Sequence, residues 1–333
     1  MKKLPLLLLV TIAAVLSAGC NRNKEYRHLE GSVWNTLYHI TYRADRSLDD
    51  SIQLIFRQVE NSLSPFIPSS TISLINRNES TQTDSLIRRV FHKSLLINHL
   101  SNGLFDPTVS PLINLWGFGY TKNDSLTPTP DNIKQALAHV GINQCSISAD
   151  LKIVKKSPST EFNFSAITKG MGCDLIAEMF KRNNIDNYLI EIGGEIAMNG
   201  LNSRNLPWNI QIDKPIFSDT TIISIPLAVI APGNCGIATS GNYRNFKRDA
   251  NGRPSFGHTI SPLSGYPIKS ATASATVIAP DCMTADALAT ACMAMDPDSA
   301  LSMINRIPNT HLLLVCLLND SLVVRQTPHF PIP

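Results

Sequence analysis

The chain has 333 residues, of which 43% are hydrophobic and 17% are charged, a balance that suits one large globular domain or two smaller ones. Its formal charge is +3, and the 29 basic side chains become 27, against 26 acidic ones, once Lys2 and Lys3 of the predicted leader are removed. Such a near-neutral balance argues against a protein that binds nucleic acid and against a polybasic membrane-binding surface.

The N-terminus has the pattern of a secretory leader. A charged start precedes an apolar run over residues 4–18, which is too short to span a bilayer as a helix. The run ends in Leu16-Ser17-Ala18-Gly19-Cys20, which resembles the lipobox of bacterial lipoproteins; the alternative is an ordinary signal peptide that ends near a cysteine. We therefore predict an exported lipoprotein with a signal peptide over residues 1–19 and a palmitate-bearing Cys20, anchored at the periplasmic face of the inner membrane.

The first elements of the folded domain are predicted from apolar periodicity. Residues 20–30 are polar and charged after the cysteine, so we predict a lipidated tether there and a folded domain over residues 31–333. Alternation predicts a strand over residues 36–42, and apolar residues at helical spacing predict helices over residues 51–63 and 86–100.

The rest of the chain mixes strands and helices. The predicted elements are helices over residues 132–139 and 284–295, the second with Thr284 as N-cap, and strands over residues 188–192, 208–212, 221–231 and 272–279, with two more within 312–324. No internal repeat or low-complexity linker divides the chain, and its six later cysteines are expected to be mostly buried thiols. We therefore predict a single α+β domain.

Four segments carry more glycine, proline, aromatic and polar residues than packing requires. Residues 103–119 contain aromatic side chains that suit a bound ring system, although a loop that packs them into the core has the same pattern. Residues 163–170 place small residues and Lys169 before a predicted helix, where a phosphate could approach; a solvated lysine is the alternative. Residues 191–195 place two carboxylates around a glycine pair, either in a ligand-facing turn or in a tight bend.

The fourth segment comprises residues 238–244 with 258–265, and residues 284–290. Asp286 and Thr290 are four residues apart on one face of a predicted helix, a pair that suits a hard cation, although Asp286 could simply complement the helix dipole. His258 lies in a polar context with glycines on both sides, and it is a candidate general base, although an isolated histidine is more often structural.

Taken together and in this order, these segments resemble the ApbE family, the FAD:protein FMN transferases. The resemblance runs from about Trp34 to Met295 and comprises residues 64–66 with Ser73 and Asn76, 103–119, 166–170 with Asp174, 191–195, 238–244, 258–265 and 285–290. It implies a single α+β domain of the T-fold-like kind that binds FAD and Mg²⁺. It also implies transfer of FMN from FAD to a threonine or serine hydroxyl of an acceptor protein, with release of AMP.

The resemblance implies the site residues by matching position. The implied flavin contacts are Trp34, Ser64, Pro65, Phe66, Leu104, Phe105, Asp106, Asn163, Lys169 and Ile260. The implied magnesium ligands are the backbone carbonyl of Ala166 and the side chains of Asp286 and Thr290, all oxygen donors as Mg²⁺ prefers. For catalysis, His258 is the candidate base, and Asp106 could orient or share the proton of the acceptor hydroxyl.

Three positions depart from the family pattern. Trp34-Asn35-Thr36 stands where Met-Gly-Thr is usual, Ser165 replaces a frequent glycine, and Ser261 replaces the aspartate that usually precedes the proline. The change at Ser261 is expected to loosen the loop that presents His258.

Two alternative functions remain open from the sequence. A magnesium-dependent FAD pyrophosphatase would use the same residues with water in place of the acceptor hydroxyl, and a non-catalytic flavin-binding lipoprotein would store or deliver the flavin. For the transferase, the resemblance implies acceptor flavoproteins, expected to be subunits of membrane respiratory ion pumps. The sequence leaves open the identity of the acceptor, the oligomeric state, the cysteine pairing, and whether the inner or the outer membrane holds the lipid.

Overall fold

A computed structural model describes residues 24–118, 128–216, 224–241, 246–248, 254–257, 259–268, 270–318 and 321–332. No helix within these ranges is both long enough and apolar enough to cross a membrane. The six cysteines in the described ranges are free thiols, and five of them are buried, as predicted for most of them.

One antiparallel sheet of eight strands organises the described part of the chain. Its spatial order is β1-β2-β5-β6-β9-β12-β13-β14. The strands are β1 (Glu25–Val33), β2 (Thr36–Ala44), β5 (Tyr188–Ile192), β6 (Glu195–Asn199), β9 (Cys235–Gly241), β12 (Thr272–Ala279), β13 (His311–Leu318) and β14 (Ser321–Gln326). The short pairs are β3 (Cys145–Ile147) with β4 (Ile153–Lys155), β7 (Ile210–Asp213) with β8 (Pro226–Ile230), and β10 (Phe246–Arg248) with β11 (Pro254–Gly257).

The α-helices lie on one side of the eight-stranded sheet. They are α1 (Asp49–Leu63), α2 (Thr71–Asn76), α3 (Ser85–Leu100), α4 (Ser110–Leu115), α5 (Pro130–Leu137), α6 (Ser165–Arg182), α7 (Cys282–Met293) and α8 (Pro297–Asn305). A short 3₁₀ helix covers Ile142–Gln144. The amphipathic helices α1 and α3 place their apolar side chains in the main core, whereas the alanine-rich α7 is buried along almost its whole length.

The first hairpin corrects the predicted tether boundary. Strand β1 begins with Glu25 opposite Ala44 and is paired with β2 along its length. Trp34 and Asn35 form the two-residue turn with φ of 49° and 59°, a left-handed geometry that matches the twist of a hairpin. The tether predicted up to residue 30 was therefore wrong over residues 25–30, because the sheet pairs their backbone groups even though the side chains are polar.

The start of α7 corrects the predicted helix cap. Asp281 is the N-cap, and its Oδ1 accepts a hydrogen bond of 2.8 Å from the Thr284 backbone N–H. The Thr284 hydroxyl donates to the other carboxylate oxygen at 2.8 Å. Thr284 was the wrong cap because Asp281 satisfies the free N–H groups one turn earlier.

Most other predicted elements are confirmed with small shifts at their ends. Strands β5 and β12 have the predicted bounds, and the strand predicted over residues 221–231 is described from Pro226 to Ile230. The sequence prediction missed β6 and β9, which have few β-branched residues but are held in the centre of the sheet by partners on both sides.

The two faces of the sheet bury separate cores. Along β13, Leu312, Leu314 and Cys316 join the core beneath the helices, whereas Leu313 and Val315 join a smaller core under the β7–β8 hairpin. This alternation follows from the period of two in a strand. Every residue of β12 is buried, because it lies in the middle of the sheet between both cores.

Candidate active site

Two adjoining clefts open on the helix side of the sheet and share Ser165 and Lys169. The first has a volume of about 390 Å³ and the second about 340 Å³. Of the implied site residues, the first cleft contains Leu104, Phe105, Asp106, Asn163, Ala166, Lys169, Ile260, Asp286 and Thr290. The second contains Trp34, Ser64, Pro65 and Phe66, again with Lys169. The fold thus brings every described residue of the implied site to this pair of clefts.

The start of α6 places Lys169 at the junction of the clefts. Asn163 Oδ1 accepts hydrogen bonds from the Ser165 N–H at 2.9 Å and the Ser165 hydroxyl at 2.5 Å, which holds the beginning of the helix. A glycine is frequent at position 165 in the family. Here the Ser165 hydroxyl has a hydrogen-bond partner in Asn163. One turn later, Lys169 lines both clefts.

A close helix crossing places Asp286 beside Lys169. A Cβ atom on Gly170 would lie only 2.4 Å from the Cys282 carbonyl oxygen, so a glycine is needed where α6 meets α7. The Gly170 N–H donates to Asp286 Oδ2 at 3.0 Å. The carboxylate on α7 is thus fixed by the residue that follows the lysine on α6.

Lys169, Glu195 and Asp286 form a buried charge cluster in the first cleft. Lys169 Nζ lies 2.5 Å from Glu195 Oε2, and the two acidic residues are only 4% and 3% exposed. Burial raises the pKa of Glu195, and the Asp286 charge raises it further despite the lysine. Burial likewise raises the pKa of Asp286, while for Lys169 the two carboxylates outweigh burial and raise the pKa.

This cluster fits a divalent cation. Two buried carboxylates face one lysine, so when all three groups are ionised one negative charge lacks a partner. Further oxygen donors at the cleft include the hydroxyls of Ser240 and Thr290, 3.4 Å apart, and the Ala166 backbone. In the described part of the chain, no group of three or more His, Cys, Asp or Glu residues could hold a metal. An oxygen set with a single available carboxylate suits Mg²⁺ better than a transition metal.

Asp106 holds the loop at the rim of the first cleft. Its Oδ1 accepts from the Thr108 N–H at 2.8 Å and the Thr108 hydroxyl at 2.5 Å. Its Oδ2 accepts from the Ile142 N–H at 3.0 Å and from Asn98 Nδ2 at 3.4 Å. Burial raises the pKa of Asp106 although these hydrogen bonds oppose the shift. These contacts indicate a side chain that fixes Leu104 and Phe105; its role in proton transfer remains a prediction.

An aromatic wall bounds the second cleft. The Trp34 ring meets Phe56 edge to face at 5.5 Å between centroids, and it lies so close to Gly172 that a Cβ there would be 2.6 Å from the indole. Phe66, which is 63% exposed, also lines this cleft. The described geometry therefore offers flat apolar surface for a ring system.

In the loop after residue 258, the side chain of Ser261, which departs from the family pattern, accepts hydrogen bonds from the backbone. Ser261 Oγ accepts hydrogen bonds from the Leu263 N–H at 3.3 Å and the Ser264 N–H at 3.2 Å. In the described part of the loop the hydroxyl thus has two backbone partners; the expected loosening of the loop that presents His258 stays a prediction. The candidate base His258 lies outside the described residues, as does Cys20.

The structure adds Glu195 to the candidate site. Across the Gly193-Gly194 turn, Glu191 points out of the cleft and pairs with His39 at 3.1 Å, whereas Glu195 lies inside. The sequence signal was the carboxylate pair around two glycines, which left both orientations open. Thr239 and Ser240 also line the first cleft; they lie in the candidate segment over residues 238–244, although the sequence pattern assigned neither of them a role.

Comparison with known proteins identifies extensive similarity. A model of the ApbE family matches residues 34–314. The FAD:protein FMN transferase of Haemophilus influenzae is 33% identical over 99% of this chain and 98% of that protein. The FAD:protein FMN transferase of Vibrio cholerae is 34% identical over 90% of this chain and 91% of its own.

Solved structures show the same fold. The flavin transferase ApbE from Vibrio cholerae has a TM-score of 0.80 and 31% identity, covering 92% of this chain and 98% of that chain. The apo form of the Pseudomonas stutzeri flavinyl transferase ApbE has a TM-score of 0.80 and 26% identity, covering 93% and 97%. The predicted single α+β domain is confirmed.

Proposed function

Because this chain belongs to the ApbE family and its curated relatives are FAD:protein FMN transferases, we infer that it is a transferase that moves FMN from FAD to an acceptor flavoprotein. We propose further that the reaction requires Mg²⁺, joins FMN through a phosphoester to a threonine or serine hydroxyl, and releases AMP. The observation that carries this proposal is the gathering of the implied flavin and metal residues around two clefts that share Lys169.

The shape of the site suits a dinucleotide. FAD has a ring system at each end and two phosphates between them, and each cleft offers apolar walls, with Lys169 where the clefts meet. Asp286, Thr290 and the Ala166 carbonyl would hold Mg²⁺, which when bound neutralises charge on the phosphoryl oxygens. Lys169 supplies a further positive charge, and the hydrogen bonds that Asn163 accepts from Ser165 hold the start of the helix that carries it.

The proposed reaction exchanges one phosphorus–oxygen bond for another. The acceptor oxygen bonds to the FMN phosphorus, the bond from that phosphorus to the AMP oxygen breaks, and AMP leaves with the bond's electron pair. The acceptor proton passes to a base, for which we propose His258. A His258→Ala variant should lose transfer while it still binds FAD; flavin attachment at the normal rate would remove His258 from the mechanism.

The test of the proposed function is a transfer assay. The protein without its leader is incubated with FAD, Mg²⁺ and candidate acceptor proteins, and covalent flavin is detected by gel fluorescence and by mass. We expect a mass increase equal to FMN less one water, an equal amount of AMP, and loss of both with a chelator. AMP without an adduct would indicate the pyrophosphatase, and FAD binding without AMP would indicate a flavin carrier.

We also propose that a lipid on Cys20 keeps the enzyme beside its acceptors. Exported flavoproteins, and subunits of membrane respiratory pumps in particular, would then meet a high local concentration of the transferase at the periplasmic face of the inner membrane. A Cys20→Ala form exported to the same compartment should modify a soluble peptide normally and a membrane acceptor more slowly. Equal rates on both would show that the anchor does not assist the reaction.

A further inference from the structure

We propose that Glu195 is a positioning residue that holds the Lys169 ammonium away from Asp286, so that this carboxylate stays available to a divalent cation. The inference rests on the proposed function for the use of that cation. It concerns how two buried carboxylates share one lysine between them. A residue with this role acts through Lys169 and need not touch the substrate.

The contacts of the two carboxylates differ. Among the described residues, Glu195 is the carboxylate that pairs directly with Lys169, at 2.5 Å. Asp286 instead accepts the Gly170 N–H with Oδ2 at 3.0 Å, and no described residue donates to its Oδ1. One carboxylate therefore neutralises the lysine, and the other keeps an oxygen for another ligand.

The position of Glu195 is fixed by the sheet. It is the first residue of β6, opposite Ile192 in β5, and its backbone carbonyl accepts from Cys173 Sγ on α6 at 3.3 Å. The turn between the strands contains Gly193 at φ 64°, packed against the Thr36 side chain. The backbone is thus held on both sides, and the side chain is only 4% exposed, so the carboxylate has almost no access to solvent as an alternative to Lys169.

Lys169 would turn to Asp286 if Glu195 lost its charge. A lysine has a flexible four-carbon stem, and its ammonium is attracted to a buried carboxylate that remains within reach. Both acidic residues line the same cleft as Lys169, and both lie almost entirely out of solvent. A cation that binds Asp286 would then have to displace the ammonium.

The inference is tested by direct cation binding. Mn²⁺, which takes oxygen ligands like those of Mg²⁺ and is visible by electron paramagnetic resonance, is titrated into each protein with and without FAD. In Glu195→Gln, Mn²⁺ affinity should fall at least about tenfold because the ammonium now competes for Asp286. In Lys169→Met the affinity should be no weaker than in the wild type. In the double variant it should return to about the wild-type value, because the competitor is gone.

Glu191→Gln is the matched control. It removes the same charge from the other end of the glycine turn, where the glutamate pairs with exposed His39 outside the cleft. Its Mn²⁺ affinity should equal that of the wild type, and thermal melts should show that all variants are folded. If Glu195→Gln does not fold, Lys169→Met still decides, since weaker Mn²⁺ binding in that variant contradicts the inference.

Two results would overturn the inference. Unchanged Mn²⁺ affinity in Glu195→Gln would show that the glutamate does not protect Asp286, and so would absence of Mn²⁺ binding by the wild type with or without FAD. A double variant that stays as weak as Glu195→Gln would show that Glu195 contacts the cation itself. The measurement contains no transfer step, so a wild type that binds Mn²⁺ as expected but transfers no FMN would refute the proposed function alone.

Discussion

The two faces of the central sheet bury different kinds of side chain. Under the β7–β8 hairpin, the core is apolar and includes Ile196, Ile237 and Leu313. On the helix face, the same strands border a cleft with buried charges, including Glu195. Consecutive residues of β6 therefore have different roles. Glu195 belongs to the charge cluster, and Ile196 belongs to the apolar core. The alternation of a strand separates the site from the packing that supports it.

The largest expected effect is on the helix face at Asp286. An Asp286→Ala variant should lose transfer activity by at least about 100-fold, because the cation would lose its one charged ligand. The fold should remain, since removal of a buried carboxylate also removes the cost of its desolvation and Lys169 keeps Glu195 as partner. Transfer is measured by gel fluorescence, and folding by thermal melts. Near-normal transfer at limiting Mg²⁺ would exclude Asp286 as a ligand.

On the hairpin face, the expected effect is on stability. Ile237 is buried between β6 and β12, and Ile237→Ala should lower the free energy of unfolding by about 2–4 kcal/mol through the cavity it leaves. Transfer per folded molecule should not change. Denaturant titration provides the measurement, and Val229→Ala on exposed β8 is the control with little expected loss. A large loss of transfer with normal stability would contradict the conclusion that the hairpin face supports folding and the helix face carries the site.

The helix-face site could be predicted from the sequence where its residues lie within one helix. Asp286 and Thr290 are four apart on α7, and the small residues before Lys169 mark the start of α6. The pairing of Lys169 with Glu195 could not be predicted, because it depends on how β6 lies beside a helix that begins 30 residues earlier in the chain.

The fold could be predicted where apolar periodicity is strong. Strands such as β12 and helices such as α1 carry that signal in their own residues. Strand β1 lacks that signal, because the composition of residues 25–30 is that of a tether. These residues form a strand because their backbone pairs with β2. Asp281 was likewise missed as a cap, since both it and Thr284 precede an apolar run and suit an N-cap.

The polar groups of the helix face should also make stability depend on pH. Asp174 accepts the Cys282 and Met283 N–H groups at 2.9 and 2.8 Å, and burial raises its pKa to about 7. The folded protein therefore holds this proton more tightly than the unfolded chain, and the resulting stabilisation is full below pH 4 and lost as the pH rises to 7. The hydrogen bonds from Met283 and Cys282 lower this pKa, so they limit the loss of stability that burial of the charge would otherwise cause.

Asp174→Asn is the variant that isolates this effect. An amide does not ionise, so the wild type should lose melting temperature relative to the variant between pH 4 and 7. Melting curves of both proteins across that range provide the measurement. Parallel curves would mean that Asp174 titrates alike in the folded and unfolded states, and that its burial does not disfavour the charge.

The smallest expected effect lies outside both cores, at Phe66. This side chain borders the second cleft but is 63% exposed, so it contributes little to folding. Phe66→Ala should weaken FAD binding by about 1 kcal/mol, the value of one aromatic contact, without lowering the melting temperature. Leu37→Ala, at a side chain 62% exposed and outside both clefts, should change neither quantity. Equal FAD affinity in Phe66→Ala would show that the bound ring system gains nothing from Phe66 and depends on the other residues that line the second cleft, such as Trp34.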